Sequence, residues 1–206
     1  KEKEALSKIT NALGQGTLAR GVILSVDEIP FIQNLHLLTM KPILYVFNKK
    51  AGGENLDELK DERYEKLLAY VQALGAHFVI VDAGIEHDLS HLEGEEKEMF
   101  RAELGAEDDG INDLITKSYE MLGLITYFTT GEDETRGWTI KKGSTAPIAG
   151  TAIHTDFKDK FIRAEVVFWK DLLNAGSYAT AREKGLVRTE GKEYIVKDGD
   201  VIEFKI

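Results

Sequence analysis

The sequence contains no cysteine and no long hydrophobic run. The lack of cysteine excludes disulfides, thiolate metal ligands and a cysteine nucleophile. No apolar stretch approaches the roughly 20 residues that a membrane-spanning helix needs, so we expect no membrane partner. Hydrophobic residues make up 43% and charged residues 30% of the chain, which is typical of a globular protein. We therefore expect a globular protein located in the cytoplasm.

Familiar catalytic and metal motifs are missing as well. There is no Gly-x-Ser-x-Gly elbow and no His-Glu-x-x-His zinc motif. The nearest approach to a phosphate-binding P-loop runs from Gly185 to Lys192, but Glu193 stands where the hydroxyl residue should be, and its carboxylate would repel phosphate. His87 and His91 could form a metal pair on a helix, although a solvated polar face is the favoured interpretation. We assign no catalytic residue and no metal ligand.

The net charge of -10 is unevenly distributed along the chain. Residues 1–121 carry 13 Lys and Arg against 23 Asp and Glu, whereas residues 122–206 carry 13 of each kind. This change predicts two domains joined near Gly123. The acidic half should be repelled by nucleic acid, so we expect any RNA contact in the C-terminal half and no DNA binding.

The acidic half has the pattern of an α/β protein. Continuous apolar runs at 43–47 and 77–81 are typical of strands buried on both faces, and a strong helix is predicted between them at about 56–74. This order predicts parallel strands joined by a helical crossover. Ser25 and Glu28 form a capping-box pattern that predicts a helix to about residue 38. Further helices are predicted at about 95–104 and 111–122.

The C-terminal half is predicted to be a small α+β domain of the β-grasp (ubiquitin-like) type. Its short β-type runs alternate with two helical patches, and Asp198-Gly199 is a hairpin-turn signal. The runs are 125–129, 137–140, 162–168, 193–196 and 201–206, and the patches are 146–154 and 171–184.

Two loops follow the two apolar strands of the first half, and ligands of parallel α/β proteins bind at such strand ends. Asn48 and Lys49 follow the first strand, and Ala83, Gly84 and Ile85 follow the second. The first loop resembles the Asn-Lys-x-Asp loop of P-loop GTPases, in which Asn braces the base pocket and Lys covers one face of the base. The second loop can present backbone amides to the rim of the base. These five residues are the predicted nucleotide base site.

Read together, several motifs resemble the YchF family, the Obg-like P-loop ATPases that bind ribosomes. The resemblance covers the whole chain, and its C-terminal motifs are highly specific. The motifs are Lys-Pro-Ile-Leu-Tyr-Val-Phe-Asn at 41–48, Ala-Gly-Ile-Glu at 83–86, Leu-Gly-Leu-Ile-Thr-Tyr-Phe-Thr at 122–129, Gly-Glu at 131–132, Arg-Gly-Trp-Thr-Ile at 136–140, Ile-His-Thr-Asp-Phe at 153–157, Phe-Ile-Arg-Ala-Glu-Val at 161–166 and the run at 190–202.

The resemblance implies a domain order for the chain. Residues 1–40 would be the end of a helical coiled-coil insertion, 41–121 the C-terminal part of a nucleotide-binding G domain, and 122–206 a TGS domain. It implies ATP (or GTP) with Mg2+ as cofactor in the complete protein. The phosphate loop, magnesium ligands and switch regions would lie upstream, so we do not expect this chain to hydrolyse nucleotide alone.

One position departs from the family. The family carries Asn-x-x-Glu in the base loop, and that Glu accompanies its preference for ATP over GTP, whereas Ala51 stands here. The loss argues against guanine more than against adenine, because no carboxylate remains for the guanine edge.

The function implied by the resemblance is that of the C-terminal portion of a ribosome-associated ATPase that prefers ATP over GTP. The alternatives are a non-enzymatic RNA- or ribosome-binding module and a protein-binding adaptor. Lys158, Lys160 and Arg163 are the predicted RNA or ribosome contacts, with Lys141-Lys142 as a second small cluster. Trp138 and Trp169 are expected in the core rather than as base-stacking residues.

Overall fold

The computed structural model describes residues 1–59, 61–104, 110–131 and 133–206. The chain divides into two compact units, Lys1–Met121 and Leu122–Ile206, which we call unit 1 and unit 2. Lys60 of the predicted helix 56–74 and Glu132 of the Gly-Glu motif lie outside the described residues. None of the helices within the described ranges has the length and hydropathy of a membrane span.

Unit 1 contains a two-stranded parallel sheet and a series of helices. The strands β1 (Leu44–Asn48) and β2 (His77–Val81) pair in parallel, from Leu44 opposite His77 to Asn48 opposite Val81, and a helical crossover joins them, as predicted. The helix predicted at about 56–74 is divided, because α4 (Glu62–Ala73) begins anew after its N-cap residue Asp61. The elements are α1 Glu2–Gly14, α2 Ile29–Gln33, β1 Leu44–Asn48, α3 Leu56–Leu59, α4 Glu62–Ala73, β2 His77–Val81, α5 Ala83–Leu89, α6 Gly94–Glu103 and α7 Gly110–Leu122, with 3-10 turns at Ala19–Gly21 and Leu38–Met40.

Two predictions for unit 1 are wrong in extent. The strands are not buried on both faces: in β1, Val46 is 48% exposed and Phe47 is half-buried. In the described part of the chain β1 and β2 pair only with each other, so no further strand covers their outer edges. The helix predicted from Ser25 to residue 38 is limited to Ile29–Gln33. Pro30 suits only the first turn of a helix, and the positive φ of His36 (49°) prevents its continuation.

Unit 2 is a five-stranded mixed sheet with helices on both faces. The strands lie in the order β4 (Thr135–Lys141), β3 (Leu124–Thr130), β7 (Asp200–Lys205), β5 (Arg163–Phe168) and β6 (Arg188–Glu190). Strands β3 and β7 are parallel, and the other neighbours are antiparallel. The elements are β3 Leu124–Thr130, β4 Thr135–Lys141, α8 Ala146–Gly150, α9 Asp156–Lys160, β5 Arg163–Phe168, α10 Trp169–Ala175, α11 Tyr178–Glu183, β6 Arg188–Glu190 and β7 Asp200–Lys205.

The core of unit 2 has two parts because the side chains of a strand alternate between faces. Val166 belongs to a cluster with Tyr127 and Ile202, whereas its neighbour Val167 packs with Val201 and Ala181 on the other side. Burial on both faces fixes the sheet within unit 2. The parallel sheet of unit 1 and the mixed sheet of unit 2, each accompanied by helices, match the predicted α/β character of the chain.

The hairpin predicted around Asp198-Gly199 is wrong. Residues 193–196 form no strand, and only Ile195 makes an isolated bridge, to Thr145. The Asp198 carboxylate instead accepts the backbone N–H of Thr126 at 2.8 Å, and the N–H of Gly199 donates to the Thr126 carbonyl at 2.8 Å. The turn therefore guides β7 to a position beside β3.

The helical patches of unit 2 are shorter than predicted. The first ends at Gly150, and the second is broken at Gly176 (φ 81°), after which Ser177 caps α11. The three-residue strand β6 was not predicted.

Candidate nucleotide base site and RNA contacts

The ends of β1 and β2 are tied together by one side chain. The Oδ1 atom of Asn48 accepts the backbone N–H of Ala83 at 3.0 Å, and the N–H of Lys49 donates to the Val81 carbonyl at 2.8 Å. The residues after the two strands are far apart in sequence, but parallel pairing brings them to one edge of the sheet. Asn48 thus occupies a bracing position between the two predicted base loops.

The predicted loop after β2 is the first turn of helix α5. Asp82 is its N-cap residue, and its Oδ1 accepts the N–H groups of Gly84 at 3.0 Å and Ile85 at 3.1 Å. The amides of Ala83, Gly84 and Ile85 therefore all donate to side chains of the loops themselves. The Nδ2 of Asn48 makes no hydrogen bond within the described residues, which leaves it available to a ligand.

The side chain of Lys49 is held by two carboxylates. Its Nζ lies 3.0 Å from Oδ2 of Asp57 and 3.0 Å from Oε1 of Glu58. Hydrogen bonds to Glu58 and then Asp57 raise the pKa of Lys49 above its ordinary value. The ammonium group is thus charged and locally neutralised by helix α3. The sequence did not identify these two acids as partners of Lys49, because the path of the loop between them decides whether they reach its ammonium group.

The loop between β1 and α3 is closed by Asn55. Its Oδ1 accepts the N–H of Lys50, and its Nδ2 donates to the Lys50 carbonyl, both at 3.0 Å. Ala51 lies within this closed loop. A cavity of about 300 Å³ lies beside it, with polar and apolar walls. Its lining includes Phe47, Asn48, Lys49, Asn55, Asp57 and Tyr64.

A buried ion pair supports the turn that begins α5. Glu86, the last residue of the Ala-Gly-Ile-Glu motif, is 7% exposed and lies 3.7 Å from the guanidinium of Arg101 on α6. Removing one partner of a buried pair leaves an uncompensated charge, so such a pair holds its two helices together.

His87 in α5 and His91, two residues after its end, do not belong to a metal cluster in the part of the chain that the structure describes. The rings of His87 and His91 meet edge to face at 5.2 Å between centroids. Groups of three or more potential ligands do not occur among the described residues.

The predicted RNA contacts lie at the start of β5. Lys158 and Lys160 are in α9, and Arg163 is the first residue of the strand. The Nζ of Lys160 lies 2.5 Å from Oδ2 of Asp156, which raises the pKa of Lys160 above its ordinary value. Lys158 and Arg163 are exposed and make no ion pair within the described residues, so two of the three cations are uncommitted.

The tryptophans differ in their environments. Trp138 is half-buried and donates from Nε1 to Oγ1 of Thr129 at 2.9 Å. Trp169 is 38% exposed, so the expectation that it belongs to the core is wrong. Its position at the junction of β5 and α10, rather than in a strand, explains the exposure.

Comparison with known proteins identifies similar chains. Residues 124–206 match the YchF-GTPase_C family model, described as "Protein of unknown function (DUF933)". "Ribosome-binding ATPase YchF" of Bacillus subtilis (strain 168) is 48% identical over 204 residues, which are 99% of this chain and 56% of that protein. The protein of the same name from Haemophilus influenzae is 40% identical over 205 residues, which are 99% of this chain and 55% of that protein.

A solved structure agrees in fold. The structure titled "Structure of the Schizosaccharomyces pombe YchF GTPase" superposes with a TM-score of 0.79 at 31% identity, over 99% of this chain and 54% of that one. The chain thus spans about half the length of the relatives that it matches. The resemblance to the YchF family inferred from the sequence motifs is confirmed, because this chain is similar to YchF proteins over 99% of its length.

Proposed function

We propose that this chain is the C-terminal portion of a ribosome-associated ATPase, to which it contributes the base-recognition loops and a ribosome-facing domain. In this proposal residues 1–40 are the end of a helical insertion, 41–121 the last part of a G domain, and 122–206 a TGS domain of the β-grasp type. Two relatives of this chain are named as ribosome-binding ATPases, which supports the proposal. A protein with this function would act in the cytoplasm.

The observation that carries the nucleotide-binding part is the contact between Asn48 and Ala83. It joins the carboxyl ends of two parallel strands, where ligands of α/β proteins bind. The free Nδ2 of Asn48 would donate to a ring nitrogen of the base. The backbone of Lys49 and the turn from Ala83 through Gly84 to Ile85 would line its edges.

The same loops favour adenine over guanine in this proposal. A carboxylate that accepts the ring N–H and amino group of guanine is missing at Ala51. Asp57 and Glu58 do not supply it freely, because both are bonded to the Lys49 ammonium. Adenine does not need a carboxylate for such a pair of donors, so the absence of the carboxylate weakens adenine binding less than guanine binding.

The described residues do not fit a magnesium triphosphate. They contain no cluster of metal ligands, and the Lys49 ammonium is neutralised. A triphosphate needs several donors and cations around its oxygens. We therefore assign only base contacts to this chain, and ATP with Mg2+ to the complete protein. Alone, the chain should not hydrolyse nucleotide.

The ribosome contact is proposed for unit 2, with Lys158, Lys160 and Arg163 as contact residues. The test is co-sedimentation of the chain with ribosomes across a salt series, beside a variant with all three residues changed to alanine. Phosphate contacts release counterions, so binding should weaken as salt rises and should weaken further in the variant. Failure of the parent chain to sediment with ribosomes at low salt would contradict the proposal.

A non-enzymatic RNA- or ribosome-binding module is the second candidate. It is favoured by the internal hydrogen bonds of the Ala83, Gly84 and Ile85 amides, which leave few donors for a nucleotide. The two candidates differ in adenosine binding, which only the first requires. A protein-binding adaptor would sediment with ribosomes independently of salt.

A further inference from the structure

One end of the unit 2 sheet collects lysines from three different connections. The parallel strands β3 and β7 begin at this end, and the antiparallel strands β4 and β5 finish there. Lys141 is paired with the first residue of β3, Leu124, and Phe168 is paired with the first residue of β7, Asp200. The lysines are Lys141, Lys142, Lys170 and Lys197, and we call this region the basic end.

The cations of the basic end are exposed and lack carboxylate partners. None of the four lysines forms an ion pair within the described residues. The Nζ of Lys141 donates to the Leu122 carbonyl at 2.9 Å, and the Nζ of Lys170 lies 5.3 Å from the centre of the Trp169 ring. Three strand spacings of about 4.8 Å separate β4 from β5 across the sheet. The pairing of Phe128 with Val201 also staggers the two ends along the strands, since Asp200 is level with Tyr127 and not with Leu124.

The carboxylates at the same end are mostly occupied. Asp198 accepts the N–H of Thr126, and Asp200 is 1% exposed and accepts the Tyr194 hydroxyl and the N–H of Lys197, each at 2.8 Å. Asp171 is the exposed acid in the first turn of α10. The four lysines outnumber these three carboxylates by one, so the local balance is positive although unit 2 as a whole is neutral.

Two aromatic residues directly precede Lys170 in the chain. Phe168 and Trp169 are 37% and 38% exposed, and their ring centroids are 5.9 Å apart. The backbone N–H of Trp169 donates to the Gly199 carbonyl at 3.0 Å, and the Trp169 ring lies against Gly199. These two contacts fix the position of Trp169. A Cβ atom on Gly199 would stand 2.6 Å from Cδ1 of Trp169, so only glycine permits this approach.

We propose that the basic end of unit 2 binds single-stranded RNA, with Phe168 and Trp169 stacking on bases and the four lysines contacting phosphates. Exposed rings beside unpaired cations are the combination that single-stranded nucleic acid requires. The inference rests on the proposed ribosome association and adds a surface to it. The predicted contact Arg163 lies at the other end of the sheet, opposite Lys205 near the end of β7.

The tryptophan content of the chain gives a direct measurement. The chain has 2 tryptophans, so a Trp138→Phe variant reports on Trp169 alone. Titration with a 12-nucleotide oligouridylate should quench its fluorescence to saturation, since a stacked base contacts the ring. The logarithm of the affinity should fall with the logarithm of the salt concentration with a slope of roughly -3, at about -0.7 for each of four phosphate contacts.

Variants separate stacking from charge, with binding followed by anisotropy of a labelled oligouridylate. Trp169→Leu should weaken binding about 5- to 100-fold and leave the salt slope unchanged. Changing the four lysines to alanine should bring the slope close to zero. The matched control changes four exposed lysines of unit 1, Lys1, Lys3, Lys41 and Lys66, to alanine and should keep the parent affinity. Far-UV circular dichroism verifies the fold of each variant.

The inference fails if oligouridylate leaves Trp169 fluorescence unchanged, or if the lysine variant binds as the parent does. If the parent chain nevertheless sediments with ribosomes in a salt-sensitive way, either result would refute RNA binding at the basic end and leave the proposed function standing. Absence of ribosome co-sedimentation would refute the proposed function itself, whatever the oligouridylate result.

Discussion

Changing Asn48 to alanine and to aspartate separates the two roles of this side chain. In the structure Oδ1 braces the turn at Ala83, while Nδ2 is free. Asn48→Ala removes both groups, whereas Asn48→Asp keeps an acceptor for the Ala83 N–H and removes the donor. The alanine variant should therefore lose stability and base binding, and the aspartate variant should lose base binding alone.

The size of each effect follows from exposure. Asn48 and Ala83 are both exposed, so water replaces the lost acceptor and the free energy of unfolding should fall by about 0.5–1.5 kcal/mol in Asn48→Ala. In Asn48→Asp it should change by less than about 0.5 kcal/mol. Loss of one neutral donor should weaken adenosine binding about 3- to 10-fold in both variants.

The assays are urea denaturation followed by circular dichroism and an NMR titration with adenosine. Undiminished adenosine binding by Asn48→Asp would show that Nδ2 is not a base contact. An Asn48→Ala variant as stable as the parent would show that the bond to Ala83 contributes nothing to folding.

Three further predictions concern stability. Hydrogen bonds from Lys8 and Ser25 lower the pKa of Glu28 from 4.5 to about 2. The contribution of Glu28 to the free energy of unfolding is therefore fully present above pH 4.5 and is lost as the pH falls from 4.5 to about 2. Urea denaturation should show Glu28→Gln less stable than the parent at pH 7, with the gap closing on acidification. Gly199→Ala should cost about 1–3 kcal/mol more than Gly143→Ala, because both have positive φ (81° and 89°) but only Gly199 contacts aromatic rings; equal losses would contradict the close approach. Residues 122–206 should fold alone, since both parts of their core come from within unit 2, and a broad, non-cooperative urea transition would contradict this.

Much of the fold could be predicted from hydrophobic patterning. The helices near 95–104 and 111–122 and the parallel pair of strands are where periodicity indicated them, because apolar spacing reflects local geometry. The pattern could not show how fully β1 is covered, since that depends on which strands pair beside it. The Asp198-Gly199 pair led to a wrong hairpin prediction, because the same kind of turn can also place a strand beside a partner that is distant in sequence.

The candidate site was predictable in position but not in detail. Parallel pairing requires Asn48 and Ala83 to be near each other, so strand order alone indicated the location. The ion pairs of Lys49 depend on where helix α3 begins, which the sequence of the loop does not determine. Asp82 was a readable signal, because aspartate before a helix commonly caps it, and it explains why the following amides are occupied.

Calorimetric titration of adenosine and of magnesium ATP into the chain tests the proposed base site most directly. A site that contacts only the base should bind the two ligands with affinities that agree within about threefold. The described residues hold no cluster of metal ligands, and the Lys49 ammonium beside the base is already paired with Asp57 and Glu58. Binding of magnesium ATP more than tenfold tighter than adenosine would contradict the account, since it would require a phosphate site in this chain.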